Sequence, residues 1–226
     1  MKSLIKTFVR LLLGLVIMAF ACVLAFNAGL GLSPWDVLHH GLSQVLPIKM
    51  GQASIAVGFV VLIFDILLKE KLGFGTFINI VLVGMTYDII RELGFVPSFE
   101  TAQGMEHIFP RVLMCVAAML IMAFSMYLYM GAELGSGPRD SLMCALTKKT
   151  RLPVGGIRLM LEGLAFVAGY FLGGKIGVGS VVLVIGSGPI MQLVFKAFKF
   201  DVTQLNNRTI SDTISDFKKA GARHGA

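Results

Sequence analysis

The chain has 226 residues, of which 56% are hydrophobic and 15% are charged, and its mean hydropathy is +0.81. Soluble domains contain roughly 45–50% apolar and about 25% charged residues. A soluble fold of this size would have too few polar residues to cover its surface, so the composition largely excludes a water-soluble enzyme. The net charge of +7 forms no basic stripe interleaved with aromatic residues, which argues against a nucleic-acid-binding protein.

Long apolar stretches predict membrane-spanning helices. Such a helix needs about 20 residues to cross about 30 Å of hydrocarbon, and its backbone must form its hydrogen bonds within the chain. Six stretches meet or approach this length: 8–28, 51–69, 73–92, 110–131, 153–174 and 176–198. Two further segments, 34–46 and 138–150, are too short to cross. We therefore expect an all-α membrane protein with six transmembrane helices and two short non-spanning ones.

The chain matches itself without a gap when it is shifted by 104 residues. Apolar identities occur by chance in such a chain, but matches of proline, aspartate, lysine and glycine do not. These matches pair Pro34 with Pro138, Asp36 with Asp140, Lys71 with Lys175, Gly73 with Gly177 and Gly75 with Gly179. We expect residues 1–104 and 105–200 to form two copies of a three-helix unit, followed by a cytoplasmic tail at 201–226.

Lysine and arginine are distributed unevenly between the two sides of the predicted membrane. With the N-terminus inside, most of the 20 basic residues fall on cytoplasmic segments, as the positive-inside rule requires. We therefore expect both termini in the cytoplasm and the chain in a bacterial inner membrane. Because each unit has an odd number of spans, the second unit enters from the opposite side. This predicts inverted-topology repeats, a plan that recurs in transporters, with the substrate site at the repeat interface.

The most specific motif is Gly-x-x-Pro-x-Asp, which occurs at 31–36 and again at 135–140. It is typical of a helix start, with Ser33 as the N-cap, Pro34 or Pro138 in the first turn, and Asp36 or Asp140 facing the positive helix end. In one interpretation these residues only cap two short helices. In the other, each helix start lies inside the protein and binds a ligand, with the aspartates as proton or cation sites. We favour capping as the primary role, and the two roles are compatible.

Charged residues also occur deep in the predicted fifth span. Glu162 lies about nine residues into it, and Arg158 lies one helical turn earlier on the same face. Charges at such depth usually face the bundle interior or a water-filled cavity, although a self-neutralising pair that fixes packing would explain them equally well. At the inner boundary of the second span, Asp65 is expected to pair with Lys69.

Two functions follow from this reading. The first is a small-solute or ion transporter or permease, whose path is lined or gated by Asp36, Arg139, Asp140, Arg158 and Glu162. The second is a non-transporting accessory or scaffold protein, in which the charges only pack helices.

No catalytic, phosphate-binding or metal-binding motif occurs in the sequence, so we expect no enzyme activity, no metal and no cofactor. The expected partners are the lipid bilayer and an unidentified small solute or ion, and nucleic acid is not one of them. Formation of a homo-oligomer is left open.

The chain resembles the YczE/YitT-like bacterial integral membrane proteins. The resemblance rests on Gly-Leu-Gly-Leu-Ser-Pro-Trp-Asp at 29–36, Gly-Ser-Gly-Pro-Arg-Asp at 135–140, and the Gly-x-Gly pairs at 73–75 and 177–179. It covers most of the chain except the tail. It implies a polytopic inner-membrane protein, but it brings neither a substrate nor catalytic residues, because that family has none assigned.

Overall fold

Helices dominate the computed structural model, which describes residues 2–70, 72–102, 104–150, 152, 154–200, 208–213 and 215. They are α1 (Lys2–Asn27), α2 (Pro34–Val45), α3 (Met50–Leu67), α4 (Phe74–Leu93), α5 (Ile108–Met130), α6 (Pro138–Thr150), α7 (Val154–Phe171) and α8 (Val178–Ala197). The described ranges contain no strand. The all-helical class is therefore confirmed. Every predicted segment corresponds to a helix within three residues at each end, except that α1 starts six residues before the predicted segment 8–28.

Five of the helices are long and apolar enough to cross a membrane: α1 from Ile5 onward, α3, α4, α5 and α8. Their outward faces carry large apolar side chains, among them Ile63, Phe64, Leu113 and Ile185, and each of these is more than half exposed. Exposed apolar surface of this extent suits contact with lipid rather than with water. The chain is thus built as a membrane protein.

The sixth predicted span, 153–174, forms the 18-residue helix α7, and residue 153 lies outside the described residues. α7 is not among the five apolar helices, and it carries both Arg158 and Glu162. A membrane crossing by α7 therefore stays a prediction.

α1 and α5 pack along each other in opposite directions at the centre of the molecule. Near the start of α1, the Arg10 guanidinium donates to two carbonyls at the end of α5, at 3.0 and 3.1 Å. Near the start of α5, Arg111 donates to the carbonyls of Ala28 and Gly29, just after α1, at 3.1 and 2.9 Å. Each arginine therefore donates to carbonyls at the C-terminal end of the neighbouring helix, where a cation is electrostatically favoured.

The segments that follow α1 and α5 exchange hydrogen bonds with the starts of α8 and α4. The carbonyl of Leu30 accepts from the N–H of Gly179 at 2.7 Å, and the carbonyl of Leu134 accepts from the N–H of Gly75 at 2.8 Å. The 104-residue offset that relates the two halves of the sequence converts either bond into the other. The two halves therefore contact each other reciprocally, as the two subunits of a symmetric dimer do.

Glycine is required where these segments meet. Gly31 and Gly135 both have φ of +123°. A Cβ atom on Gly31 would lie 2.6 Å from the backbone nitrogen of Gly177, and one on Gly135 would lie 2.8 Å from the Cα of Gly73. Only glycine combines this conformation with so close an approach of two backbones.

In each half, the segment after the last helix hydrogen-bonds to the chain at, or just after, the end of the first helix of that half. After α4, the N–H of Phe99 donates to the carbonyl of Asn27 at 2.7 Å. After α8, the tail returns to the loops of the opposite end, where the N–H of Arg208 donates to the carbonyl of Glu133 at 2.9 Å. Of the predicted tail 201–226, the structure describes only 208–213 and 215, and the rest lies outside the described residues.

We predict that Gly31→Ala destabilises the protein by about 2 kcal/mol or more, because the new methyl group combines a strained φ with a backbone clash. Thermal unfolding of the purified protein in detergent measures the effect. Gly163→Ala is the matched control, because a Cβ there meets nothing within 4 Å and its φ is not positive. Equal stability of the two variants would contradict the close contact between the halves.

Candidate functional site

A cavity of about 240 Å³ lies at the centre of the molecule, and all eight helices contribute residues to its wall. This volume corresponds to about eight water molecules at the density of the liquid. The cavity is therefore large enough for a small solute or a hydrated ion.

The charged residues singled out in the sequence all line this cavity. They are Asp36, Arg139, Asp140, Arg158 and Glu162. The predicted helix-start residues Ser33 and Pro138 also line it, whereas Pro34 is buried beside it. The fold thus brings together charges from α2, α6 and α7. What each of them does there stays a prediction.

The start of α2 differs from the predicted helix cap. Ser33 occupies the N-cap position and Pro34 the first turn, but Ser33 makes no capping hydrogen bond. Its hydroxyl donates instead to Oδ2 of Asp36 at 2.5 Å. Ser33 thus lies at the predicted N-cap position, but its hydroxyl hydrogen-bonds to the Asp36 side chain and does not accept from a backbone N–H of the first turn. The first turn of α2 begins at the cavity without an N-cap hydrogen bond.

His39 links the two short helices. Its Nε2 lies 3.1 Å from a terminal guanidinium nitrogen of Arg139, and its Nδ1 lies 3.5 Å from Oδ1 of Asp36. Because arginine can only donate, Nε2 is the acceptor, and the proton of the neutral ring is assigned to Nδ1, on the side of Asp36. The Arg139 guanidinium also lies 4.6 Å from the ring centre of Trp35. A continuous polar chain thus joins the start of α2 to that of α6.

The second half of the cavity wall carries two further polar pairs. Oδ2 of Asp140 accepts from the hydroxyl of Tyr129 at 3.2 Å. On α7, Nε of Arg158 donates to Oε1 of Glu162 at 2.9 Å, so the predicted pair one helical turn apart is formed. The side chains of Arg158 and Glu162 remain 44% and 23% exposed, respectively. They are therefore accessible to a solute that enters the cavity.

Several pairs of residues that are equivalent by the 104-residue offset both line the cavity, but the two members of most pairs differ in chemistry. Among the pairs in which both members line the wall are Ala25 with Tyr129, Trp35 with Arg139, His39 with Met143, Ser54 with Arg158 and Gly58 with Glu162. Only the pair Asp36 and Asp140 carries the same charged group on both sides. Equivalent positions of the two halves thus line the wall, but the second half supplies four of the five charged residues and the first half only one.

Sulfur-containing side chains form much of the remaining wall. Seven of the thirteen methionines line the cavity, together with Cys22. These methionines are Met18, Met50, Met119, Met122, Met126, Met143 and Met191. No spacing in the sequence singled them out, because methionine in an apolar helix normally indicates packing.

A polar cluster lies around Arg91, in the last turn of α4. Arg91 donates to Glu100 at 2.6 Å and to Oδ1 of Asn27 at 3.1 Å, and its guanidinium lies 4.1 Å from the ring centre of Phe26. Nζ of Lys175 donates to the carbonyl of Glu100 at 3.0 Å. These contacts tie the segment before α8 to the segment after α4.

The fold and the cavity define a polytopic helical membrane protein with a polar site inside its bundle. The chain belongs to a family described as a family of unknown function, DUF6198, whose model matches residues 5–196. This finding and the relatives below confirm the resemblance to YczE-like proteins and the location in a membrane.

Three relatives cover most of the chain. The chain is 32% identical over 181 residues to the uncharacterized membrane protein YczE of Bacillus subtilis, which covers 79% of this chain and 80% of that one. An uncharacterized protein of Haemophilus influenzae is 30% identical over 187 residues, 83% of this chain and 82% of its own. The uncharacterized protein YyaS of Bacillus subtilis is 20% identical over 184 residues, 80% and 88% of the two chains. No solved structure matches.

Trp35 is the only tryptophan of the chain, so its fluorescence reports on the cavity directly. We predict that Arg139→Gln changes the intensity and wavelength of this emission, because it removes a cation from the face of the ring, a contact worth about 0.5–2 kcal/mol. Steady-state fluorescence of the purified protein measures the change. Arg91→Gln, which removes a cation from the Phe26 ring instead, is the control and should leave the spectrum unchanged. An unchanged Arg139→Gln spectrum would contradict the contact.

Proposed function

We propose that this protein transports a small solute or ion and that the central cavity is its binding site. The observation that carries the proposal is the position of five charged side chains on the wall of one cavity between helices of a membrane protein. Charged side chains inside the helix bundle of a membrane protein are costly and usually mark a path for a solute or an ion. A protein that only scaffolds a partner has no need of a charged interior cavity.

The proposed transporter consists of two inverted-topology repeats, 1–104 and 105–200. Three observations support this: α1 and its equivalent α5 run antiparallel, the contacts between the halves are reciprocal, and equivalent residues line the cavity together. A substrate site at the interface of two such repeats is the usual arrangement in transporters of this plan. The proposal requires α7 to be the sixth crossing, since only then does each repeat contain three spans.

The wall of the cavity supports a solute that carries a charged or strongly polar group. Guanidinium and carboxylate groups are both present, so either sign of charge can find a partner. The starts of α2 and α6 also meet at the cavity, and the positive ends of two helix dipoles favour negative charge there. Apolar and aromatic residues form the rest of the wall and would hold an apolar part of the solute.

Unequal packing of the two halves supports two alternating conformations. α2 packs closely against α7, where Gly41 and Gly169 let the backbones touch, whereas the equivalent contact of α6 with α3 is less extensive. Conversely, α3 packs along α4, but the equivalent helices α7 and α8 barely touch in the described residues. In a second conformation the repeats would exchange these arrangements, so that α6 packs closely against α3 and α7 packs along α8. This change would open the cavity to the opposite side of the membrane.

The orientation proposed for the bacterial inner membrane places both termini in the cytoplasm, and site-directed labelling tests it. A single cysteine at Met105, which is 77% exposed between α4 and α5, should react with a membrane-impermeant maleimide in intact cells. A cysteine at Thr150, at the exposed end of α6, should react only after the cells are permeabilised. Cys22, Cys115 and Cys144 must first be replaced by serine. The reverse labelling pattern would contradict this orientation.

The transport proposal predicts that Glu162→Gln and Asp36→Asn each reduce flux by about tenfold or more, the equivalent of about 1.4 kcal/mol in the rate-limiting barrier. Trp35 emission selects solutes that bind, from a panel of amino acids, organic anions, organic cations and inorganic ions. Flux of the selected solutes into proteoliposomes is then measured. Glu92→Gln is the control, because Glu92 is an exposed carboxylate that pairs with Lys49 away from the cavity. If nothing moves faster than in empty vesicles, transport is contradicted and the accessory role gains support.

A further inference from the structure

Among the acidic residues that the structure describes, only Asp65 has buried carboxyl oxygens that lack a hydrogen-bond partner. Its side chain is fully buried near the end of α3, and neither carboxyl oxygen has a hydrogen-bond partner in the part of the chain that the structure describes. The expected pair with Lys69 is not formed, because α3 ends at Leu67 and Lys69 turns outward with a φ of 60°. A buried polar group without a partner is rare in proteins and needs an explanation.

Burial of this kind determines the charge state of the side chain. An ionised carboxylate that loses its hydration and gains neither a cation nor a donor is strongly destabilised, whereas the protonated acid is penalised far less. Within the described chain nothing compensates a negative charge on Asp65. The carboxyl group is therefore expected to hold a proton in this conformation.

The neighbours of Asp65 strengthen this conclusion. The charged group that acts on it is Glu70, just beyond the helix, and an acidic neighbour of this kind brings no positive charge that would stabilise the ionised form of Asp65. α4, which packs along α3, has no ionisable residue in its first half, the half that adjoins this end of α3. α2 brings Asp36 and His39 only as far as the cavity, because it is joined to the opposite end of α3.

α6 connects Asp65 with the cavity. Asp140, Cys144 and Lys148 follow one another at intervals of four residues and therefore lie along one face of this helix. The thiol of Cys144 is within electrostatic range of both Asp140 and Asp65. At the far end of this face, Nζ of Lys148 pairs with Glu70 at 2.6 Å, and the lysine is 68% exposed. A row of ionisable groups thus runs from the cavity to the surface.

The packing of the fold does not require an acid at this position. The residue equivalent to Asp65 in the second half is Gly169, which lies against the backbone of Leu38 on α2. The same helix crossing is therefore built once around glycine and once around a buried carboxyl group. α3 and α6 also contact each other less extensively than α7 and α2 do.

We propose that Asp65 is a proton-binding site through which proton movement is coupled to transport by the central cavity. The proposal rests on the proposed function. In this conformation the proton is bound at Asp65. When α3 and α6 rearrange, the proton leaves the Asp65 oxygen for water at the surface beside Glu70, and a negative charge remains on the Asp65 carboxylate. Acidic residues inside membrane transporters serve as proton-binding groups of this kind.

Infrared spectroscopy of the full-length protein in lipid nanodiscs at neutral pH tests the site without any solute. We expect a carbonyl-stretch band of a protonated carboxyl group that shifts in D2O and is lost in Asp65→Asn. Glu92→Gln is the control, because Glu92 is an exposed carboxylate that pairs with Lys49, so its replacement should leave the band in place. Absence of the band from the unmodified protein, or its full retention in Asp65→Asn, would overturn the proposal.

Asp65→Val provides a second test if the asparagine variant folds poorly. A protonated acid without partners loses no interaction when an apolar side chain replaces it, so the thermal midpoint should equal or exceed that of the unmodified protein. A clearly lower midpoint would show that Asp65 has a partner, and the proposal would fail.

Transport measurements distinguish a failure of the proton-coupling role of Asp65 from a failure of the proposed transport function. With a solute found by flux measurement, an inward proton gradient should accelerate uptake by the unmodified protein, and Asp65→Asn should lose that acceleration while still exchanging solute between the two sides. Equal acceleration in both would overturn the coupling role. If no solute moves at all, the proposed function fails, and the infrared band still decides whether Asp65 holds a proton.

Discussion

The absence of water inside a bilayer is the constraint on which this structure depends. Every backbone N–H and carbonyl must find a partner within the protein, and helices meet this demand by themselves. The segments 28–33 and 132–137 are not helical, yet they run through the interior, where Leu32 and Leu134 are almost fully buried. Their polar groups bond to the starts of α8 and α4, and this reciprocal bonding fixes the positions from which the two short helices begin. The cavity exists because those helices begin there.

Most of the helix assignment could be predicted from the sequence, because hydropathy and length leave few other structures for apolar segments of about 20 residues. The internal repeat and the cost of burying charge also predicted which residues would meet at the cavity. Pairings that depend on local geometry could not be predicted. Ser33 bonds to Asp36 because that acceptor is within reach, and Lys69 misses Asp65 because α3 ends two residues too early. The spacing of His39, one turn after Asp36, was a signal that could have been used, whereas Tyr129 has no counterpart in the first half to reveal it.

Divergence between the two halves is concentrated at the cavity and spares the contacts that hold the halves together. Leu30, Leu134 and the glycines that they bond are the same in both copies, because the backbone geometry there admits no alternative. On the cavity wall, by contrast, the second half has guanidinium and carboxylate groups where the first half has serine, glycine and tryptophan. An interior that is symmetric in framework and asymmetric in charge presents a different chemical surface to each side of a bound solute. Charge placement and framework could therefore evolve separately.

The methionine-rich wall has a consequence for selectivity. Thioether side chains are unbranched and polarisable, and they change rotamer more readily than branched residues do. A cavity lined by seven methionines can therefore change its shape and accommodate solutes of different shape. Under the proposed function, discrimination among solutes would then come from the charged groups, namely the Arg139 guanidinium over the Trp35 ring and the carboxyl groups of Asp36 and Asp140 at the helix starts. Such a cavity would select solutes by the positions of their charged groups and would accept solutes of different shape.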